Sequence, residues 1–259
     1  MASCYTATGA EASTVSFSSA TTTVRWSNLG GLGPSTNVPE SLRFGGIGVL
    51  GGAGLDLDVR AVSDYRATRS DRNGLSVYGT ARINLEGPND PTRTTVISGV
   101  EVGHSTVALE LTLRDSASGA PVAPPRFFIT LIDIDSGGAS SRECIAAIGH
   151  TRAFVHETSD LVRGLRNASD VRTQLSCSGM ACESATLDNA IASGTLFEGW
   201  CAPSYEGVDG DASHDRRAVM LEFEHTSTFL LVLSMVDCCS TSGRNFLLDG
   251  FSESLVPAC

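Results

Sequence analysis

The chain has 259 residues, 41% of them hydrophobic and 27 of them glycine, and its formal net charge is −11. It is long and apolar enough to close a sizeable core, which excludes a wholly disordered chain, and too interrupted by glycine for a coiled coil. The acidity disfavours nucleic acid and anionic membrane surfaces as partners, and all 18 basic residues are Arg, which rules out a Schiff-base lysine and a phosphate-loop lysine.

In chain order, "MASCYTATGAEAS" has neither the positive nor the apolar region of a secretory leader, so a leader peptide is expected to be absent from this chain. Val15 to Phe17 and Thr22 to Trp26 read as short strands, being β-branched and aromatic. The Gly- and Pro-rich run that follows, to residue 54, reads as loops around a short strand at Ser41 to Phe44; loops of that length suit ligand- or partner-binding tips.

"LDLDVRAV" alternates Leu55, Leu57, Val59 and Ala61 against Asp56, Asp58 and Arg60, the pattern of a half-buried antiparallel strand with one wet face. Asn73-Gly74 carries a turn signal, and "SVYGTARINLEG" continues as a strand. "TVALELTLRD" sets Val107, Leu109, Leu111 and Leu113 inward and Glu110, Thr112 and Arg114 outward. A Gly- and Pro-bearing turn leads to "RFFITLIDID", apolar on both faces like a covered central strand.

From about 160 to 203 the strand pattern fades and three cysteines gather, which reads as a disulfide-bearing loop insert with a short helix around Ser159 to Leu165. "AVMLEFEH", "STFLLVLSMV" and "RNFLLDGFSESL" then restore the β pattern. Residues 1 to 259 are therefore expected to form a single all-β domain, an antiparallel β-sandwich of jelly-roll-like kind carrying that insert. No apolar run reaches membrane-spanning length.

The residues that carry chemistry are few. Asp133 and Asp135 lie two apart on a strand and share a face, and Glu143 follows a glycine turn short enough to fold back on them. Two carboxylates with loop carbonyls suit a hard cation such as Ca²⁺, the one cofactor the sequence suggests. The spacing is not that of an EF-hand, and the plainer reading is a strand end at a polar turn. Asp237 and Asp249 close strands in the same manner and would join that rim if their strands were neighbours.

The eight cysteines, Cys4, Cys144, Cys177, Cys182, Cys201, Cys238, Cys239 and Cys259, are disulfide candidates whose pairing spacing does not resolve. Adjacent Cys238 and Cys239 would diverge to separate partners, and Cys177 and Cys182 with distant Cys201 match a zinc ribbon poorly. Asn167-Ala168-Ser169 is a glycosylation sequon. The serines lack a nucleophile elbow, while paired carboxylates for polysaccharide hydrolysis would be recognised only by their separation in space. Trp26, Trp200, Tyr65, Tyr78 and Tyr205 are either a sugar-stacking platform or packing residues.

"VRWSNLGGLGP", "ESLRFGGIG", "LDLDVRAVSDYRA", "NGL", "ARINLEG", "FFITLIDIDS...REC" and "RNFLLDGFS" together resemble an uncharacterised family of β-rich proteins of marine microalgae, such as dinoflagellates and haptophytes. The Asp-x-Asp to Glu-Cys element is also similar to jelly-roll modules of bacterial surface proteins. The resemblance spans most of the chain outside the Cys-rich insert and rests on strand and turn patterns, without a catalytic signature. It implies a jelly-roll-like domain displayed or assembled outside the cytosol.

The expected function is thus a non-enzymatic structural or recognition module, extracellular, at the cell surface or in another oxidising compartment such as an organelle lumen. Its partners would be other protein subunits or a polysaccharide, with a cation or a carbohydrate as ligand. A self-assembling shell, wall or filament subunit and a polysaccharide-active enzyme are the alternatives.

Overall fold

The computed structural model describes residues 15–17, 20–87, 94–97, 100–103, 105–136, 142–167, 184–203, 214–236 and 243–255. In chain order the elements are β1 Thr23–Ser27, β2 Ser41–Leu50, β3 Ala53–Ala61, β4 Gly74–Leu75, β5 Ala81–Leu85, β6 Thr94–Ile97, β7 Val100–Gly103, β8 Ser105–Asp115, β9 Arg126–Ile132, β10 Arg142–Ile148, β11 Arg152–Val155 and β12 Val162–Asn167; helix α1 Ala185–Ser193; then β13 Leu196–Cys201, β14 Val219–Glu224, β15 Thr228–Val236 and β16 Arg244–Asp249.

Two antiparallel sheets form a sandwich. The larger has the order β1-β2-β3-β8-β15-β10-β13-β12 and the smaller β11-β14-β9-β16-β5-β4, while β6 and β7 make a separate ribbon. From β8 to β11 the chain alternates between the sheets, and it does so again from β13 to β16. Late strands insert between early ones, β15 between β8 and β10 and β14 between β9 and β11. This interleaving is the jelly-roll order.

Alternation decides which side chains meet between the sheets. Leu55, Leu57 and Val59 of β3 and Val107, Leu109, Leu111 and Leu113 of β8 are all buried inward, as their pattern predicts. Opposite them Phe127 stacks on Phe223 with ring centroids 5.0 Å apart, and Phe229 lies 4.2 Å from Phe223. Each such ring removed from water contributes about 1.5–3 kcal/mol.

β9 and β15 carry apolar residues on both faces because both are covered. Outside β9, Phe128 packs with Met220, Phe154 and Phe251; outside β15, Leu230 and Val232 pack with Ala108, Phe197 and Ala190 of α1.

Four details depart from the sequence reading. The strand expected at Ser41 to Phe44 is present, but the loop expected after it, 45–54, is largely strand too: β2 runs ten residues and absorbs "GGIG" as a bulge, the register jumping between Phe44 and Gly48. Gly46 has φ +70°, and a Cβ there would come 2.5 Å from the Thr21 carbonyl oxygen, so only glycine fits.

Asp56 belongs to no wet face. It is 2% exposed and accepts from Arg43 Nε at 3.1 Å, the Gly46 amide at 3.2 Å and Ser116 Oγ at 2.5 Å, holding the bulge from below. Asn73-Gly74 is no hairpin turn. Asn73 is buried, and its Oδ1 accepts from the Asn84 amide at 2.8 Å; the chain reverses instead at 76–80, where the Ser76 amide donates to the Thr80 carbonyl.

The fourth concerns 160–203, where β12 occupies much of the stretch expected to be helical and the helix lies at Ala185–Ser193. Edge pairing of Val162–Asn167 with Leu196–Cys201 takes precedence there over helical propensity. The described strands of the insert, β12 and β13, thus extend the larger sheet, with α1 on its outer face.

Candidate functional site at the sandwich rim

The end of β9 crosses from the smaller sheet to the larger one through Asp133, Ile134 and Asp135. Asp133 has φ +61°, a conformation Asp tolerates better than most residues, and the buried Ile134 donates its amide to the Arg217 carbonyl at 2.9 Å. Ser136 then bridges Arg142, and β10 begins. Glu143 does fold back on the aspartates. Its amide donates to the Asp135 carbonyl at 2.9 Å, and its Oε2 accepts from the Asp135 amide at 3.2 Å.

Between these two acids stands a cation from the far end of the chain. Arg244, the first residue of β16, places Nη1 3.6 Å from Asp135 Oδ1 and Nε 3.9 Å from Glu143 Oε1. Glu143 is 3% exposed, and burial holds its carboxyl well above the usual carboxylate range. The charge of Asp135 pushes the same way, with a smaller push from Asp133, against the Asp135 amide and Arg244.

The structure therefore brings Asp133, Asp135 and Glu143 to one rim, where Arg244 supplies positive charge. Among the described residues no group of three or more His, Cys, Asp or Glu is placed to hold a metal ion.

Asp249 does not join them. Five residues along β16 from Arg244, about 17 Å away, its Oδ1 accepts from the Phe17 amide at 3.1 Å and fastens the N-terminal segment to the sheet. Beside it, a Cβ on Gly250 would fall 1.5 Å from the Val15 carbonyl oxygen, so that fastening requires glycine. Asp237 lies outside the described residues.

Next to Glu143, Cys144 is disulfide-bonded to Cys201, its register partner on β13, with Cα atoms 4.1 Å apart. The bond staples the insert's inner strand to the sheet beside the acid pair. Cys4, Cys177, Cys182, Cys238, Cys239 and Cys259 lie outside the described residues; for Asn167 the description covers the backbone, as the last residue of β12.

The aromatic candidates do not converge. Trp200 is in the core. Trp26 donates Nε1 to Ser41 Oγ at 2.9 Å beneath the guanidinium of Arg43, and the hydroxyl of buried Tyr65 lies 3.0 Å from Asn73 Oδ1. Tyr78 stands exposed on the 76–80 turn, and Tyr205 is outside the described residues.

Two further charged groups escaped the sequence reading. His150 Nε2 lies 3.1 Å from Glu198 Oε2 beneath Arg163, which pairs with the same carboxylate; Glu222, 1% exposed, lies 3.1 Å from Arg126 Nε. No local spacing announces such pairs, because their members come from segments far apart in sequence. Arg244 was missed for the same reason.

No family profile and no curated relative matches the chain, so the microalgal resemblance rests on the quoted strand and turn segments alone. Among solved structures the chain is similar to the N-terminal domain of the Streptococcus gordonii adhesin Sgo0707, at 13% identity and TM-score 0.45, over 82% of this chain and 46% of that one. It is also similar to the adhesin domain of PrgB from Enterococcus faecalis, at 11% identity and TM-score 0.39, over 81% of this chain and 62% of that one. The chain thus matches about half to three-fifths of the length of these structures.

Proposed function

We propose that the chain is a non-enzymatic structural or recognition module that works outside the cell or in another oxidising compartment, meeting a protein or a polysaccharide through its loops and strand edges. The observation that carries this reading is the use made of the rim carboxylates. Asp135 and Glu143 turn on each other and on Arg244, so they act as a clasp between the sheets and do not face each other across a cleft, as the paired acids of a glycosidase would.

The Cys144–Cys201 disulfide supports the compartment, since such bonds persist where thiols are not kept reduced. No helix is long and apolar enough to cross a membrane among the described residues.

The test is to incubate the oxidised protein with a panel of insoluble wall polysaccharides and with intact cells, and to measure retention and new reducing ends together. Retention without new reducing ends is expected. Steady release of reducing ends that survives repurification would sink the reading.

A further inference from the structure

Among the described residues nine large hydrophobic side chains are exposed, and four of them, Val155, Val162, Leu165 and Leu196, lie on β11, β12 and β13 at one lateral edge of the sandwich. At the opposite edge β1 shifts register between Val24 and Trp26, a bulge that spoils it as a template for pairing. Among the described residues β12, the last strand of the larger sheet, has no such protection. Its six residues pair with β13 in unbroken register, and Val162 and Leu165 are 57% and 64% exposed.

The direction of the free backbone groups follows from the ladder. The Ala202 amide donates to the Glu143 carbonyl, so the adjoining Cys144–Cys201 pair is the non-hydrogen-bonded kind, and Cys201 turns its backbone groups toward Val162. Alternation along β12 then aims the N–H and C=O of Val162, Gly164 and Arg166 at β13, and those of Arg163, Leu165 and Asn167 away from the sheet.

We propose that this edge is a strand-addition interface occupied by a second copy of the chain, paired antiparallel about a two-fold axis at Leu165. In that register Leu165 faces its own copy and Arg163 faces Asn167 of the other copy, so all three outward-aimed residues find hydrogen-bonding partners. A two-fold centred on Arg163 would set Leu165 and Asn167 against residues that precede β12, and one centred on Gly164 would leave Asn167 without a partner from β12.

Arg163 is already neutralised by Glu198, which lowers the charge the two edges present to each other. This pairing does not depend on what the module recognises.

The test uses the full oxidised chain made in a bacterial periplasm, since a glycan on Asn167 would compete with the pairing. Sedimentation equilibrium over a roughly hundredfold concentration range should show a reversible dimer. Leu165→Pro removes only an outward-aimed N–H, so the β12–β13 ladder survives, and it should raise the dimer dissociation constant about thirtyfold or more.

Leu165→Lys, which keeps the backbone intact, should weaken the dimer in the same direction and decides the matter if the proline variant does not fold. A monomer at every concentration, an open-ended polymer, a dimer that is covalent on a non-reducing gel, or a dimer indifferent to a folded variant overturns the proposal.

Discussion

Glu143 shows how one buried side chain sets a pH dependence. Its folded-state pKa lies well above the ordinary 4.5, with desolvation the leading cause. Between the ordinary value and the raised one, the folded chain therefore keeps a proton that the unfolded chain has released, and stability falls as pH rises through that window. Subtracting the urea stability profile of Glu143→Gln from that of the wild type, from about pH 4 to 8, should isolate this decline, because Gln cannot titrate. Parallel profiles would show that the carboxyl is not protonated in the fold. The sequence placed Glu143 within reach of Asp135, but it offered nothing to bring in Arg244, which reaches the pair only because β16 lies beside β9.

Strands were the most legible elements, for a physical reason. A strand with one face in the core must alternate, and one covered on both faces must be apolar throughout, so β3, β8, β9 and β15 declare themselves locally. β12 and β13 do not, since they form the rim of the sheet and carry Arg163, Glu198 and three glycine or cysteine positions where a core strand would be apolar. What secures them is the staple to β10. The disulfide joins residues 57 apart, for which the chain-entropy model gives about 4 kcal/mol. Replacing Cys144 and Cys201 together by Ala should lower the unfolding free energy by about 2–4 kcal/mol in denaturant titrations. A loss under about 0.5 kcal/mol would mean that pairing alone holds the insert.

At the scale of the whole molecule, the sandwich closes only when the last third of the chain is inserted. β14, β15 and β16 each settle between or beside strands made long before them, so the larger sheet and the rim clasp depend on distant pairings, which fold slowly. The cation reading of Asp133, Asp135 and Glu143 is tested at this scale, because a ligand that binds only the folded chain raises its unfolding midpoint by linkage. Millimolar Ca²⁺ must raise the midpoint, and the rise must vanish in Asp133→Ala. A flat response removes that reading and leaves the Arg244 clasp as the whole role of the rim.

The sequence by itself determined the all-β class, the inward faces of the long strands and the approach of Glu143 to Asp135, all of which depend on period-two alternation or on neighbours a few residues apart. Only the tertiary structure decided that Arg244 stands at the acid pair, that Cys144 takes Cys201, that Asp56 is buried beneath a bulge, and that Val162–Asn167 and Leu196–Cys201 extend the sheet. Those are contacts between segments up to more than a hundred residues apart. They arise from which strands come to lie side by side, and local alternation specifies a strand's faces without naming its neighbours.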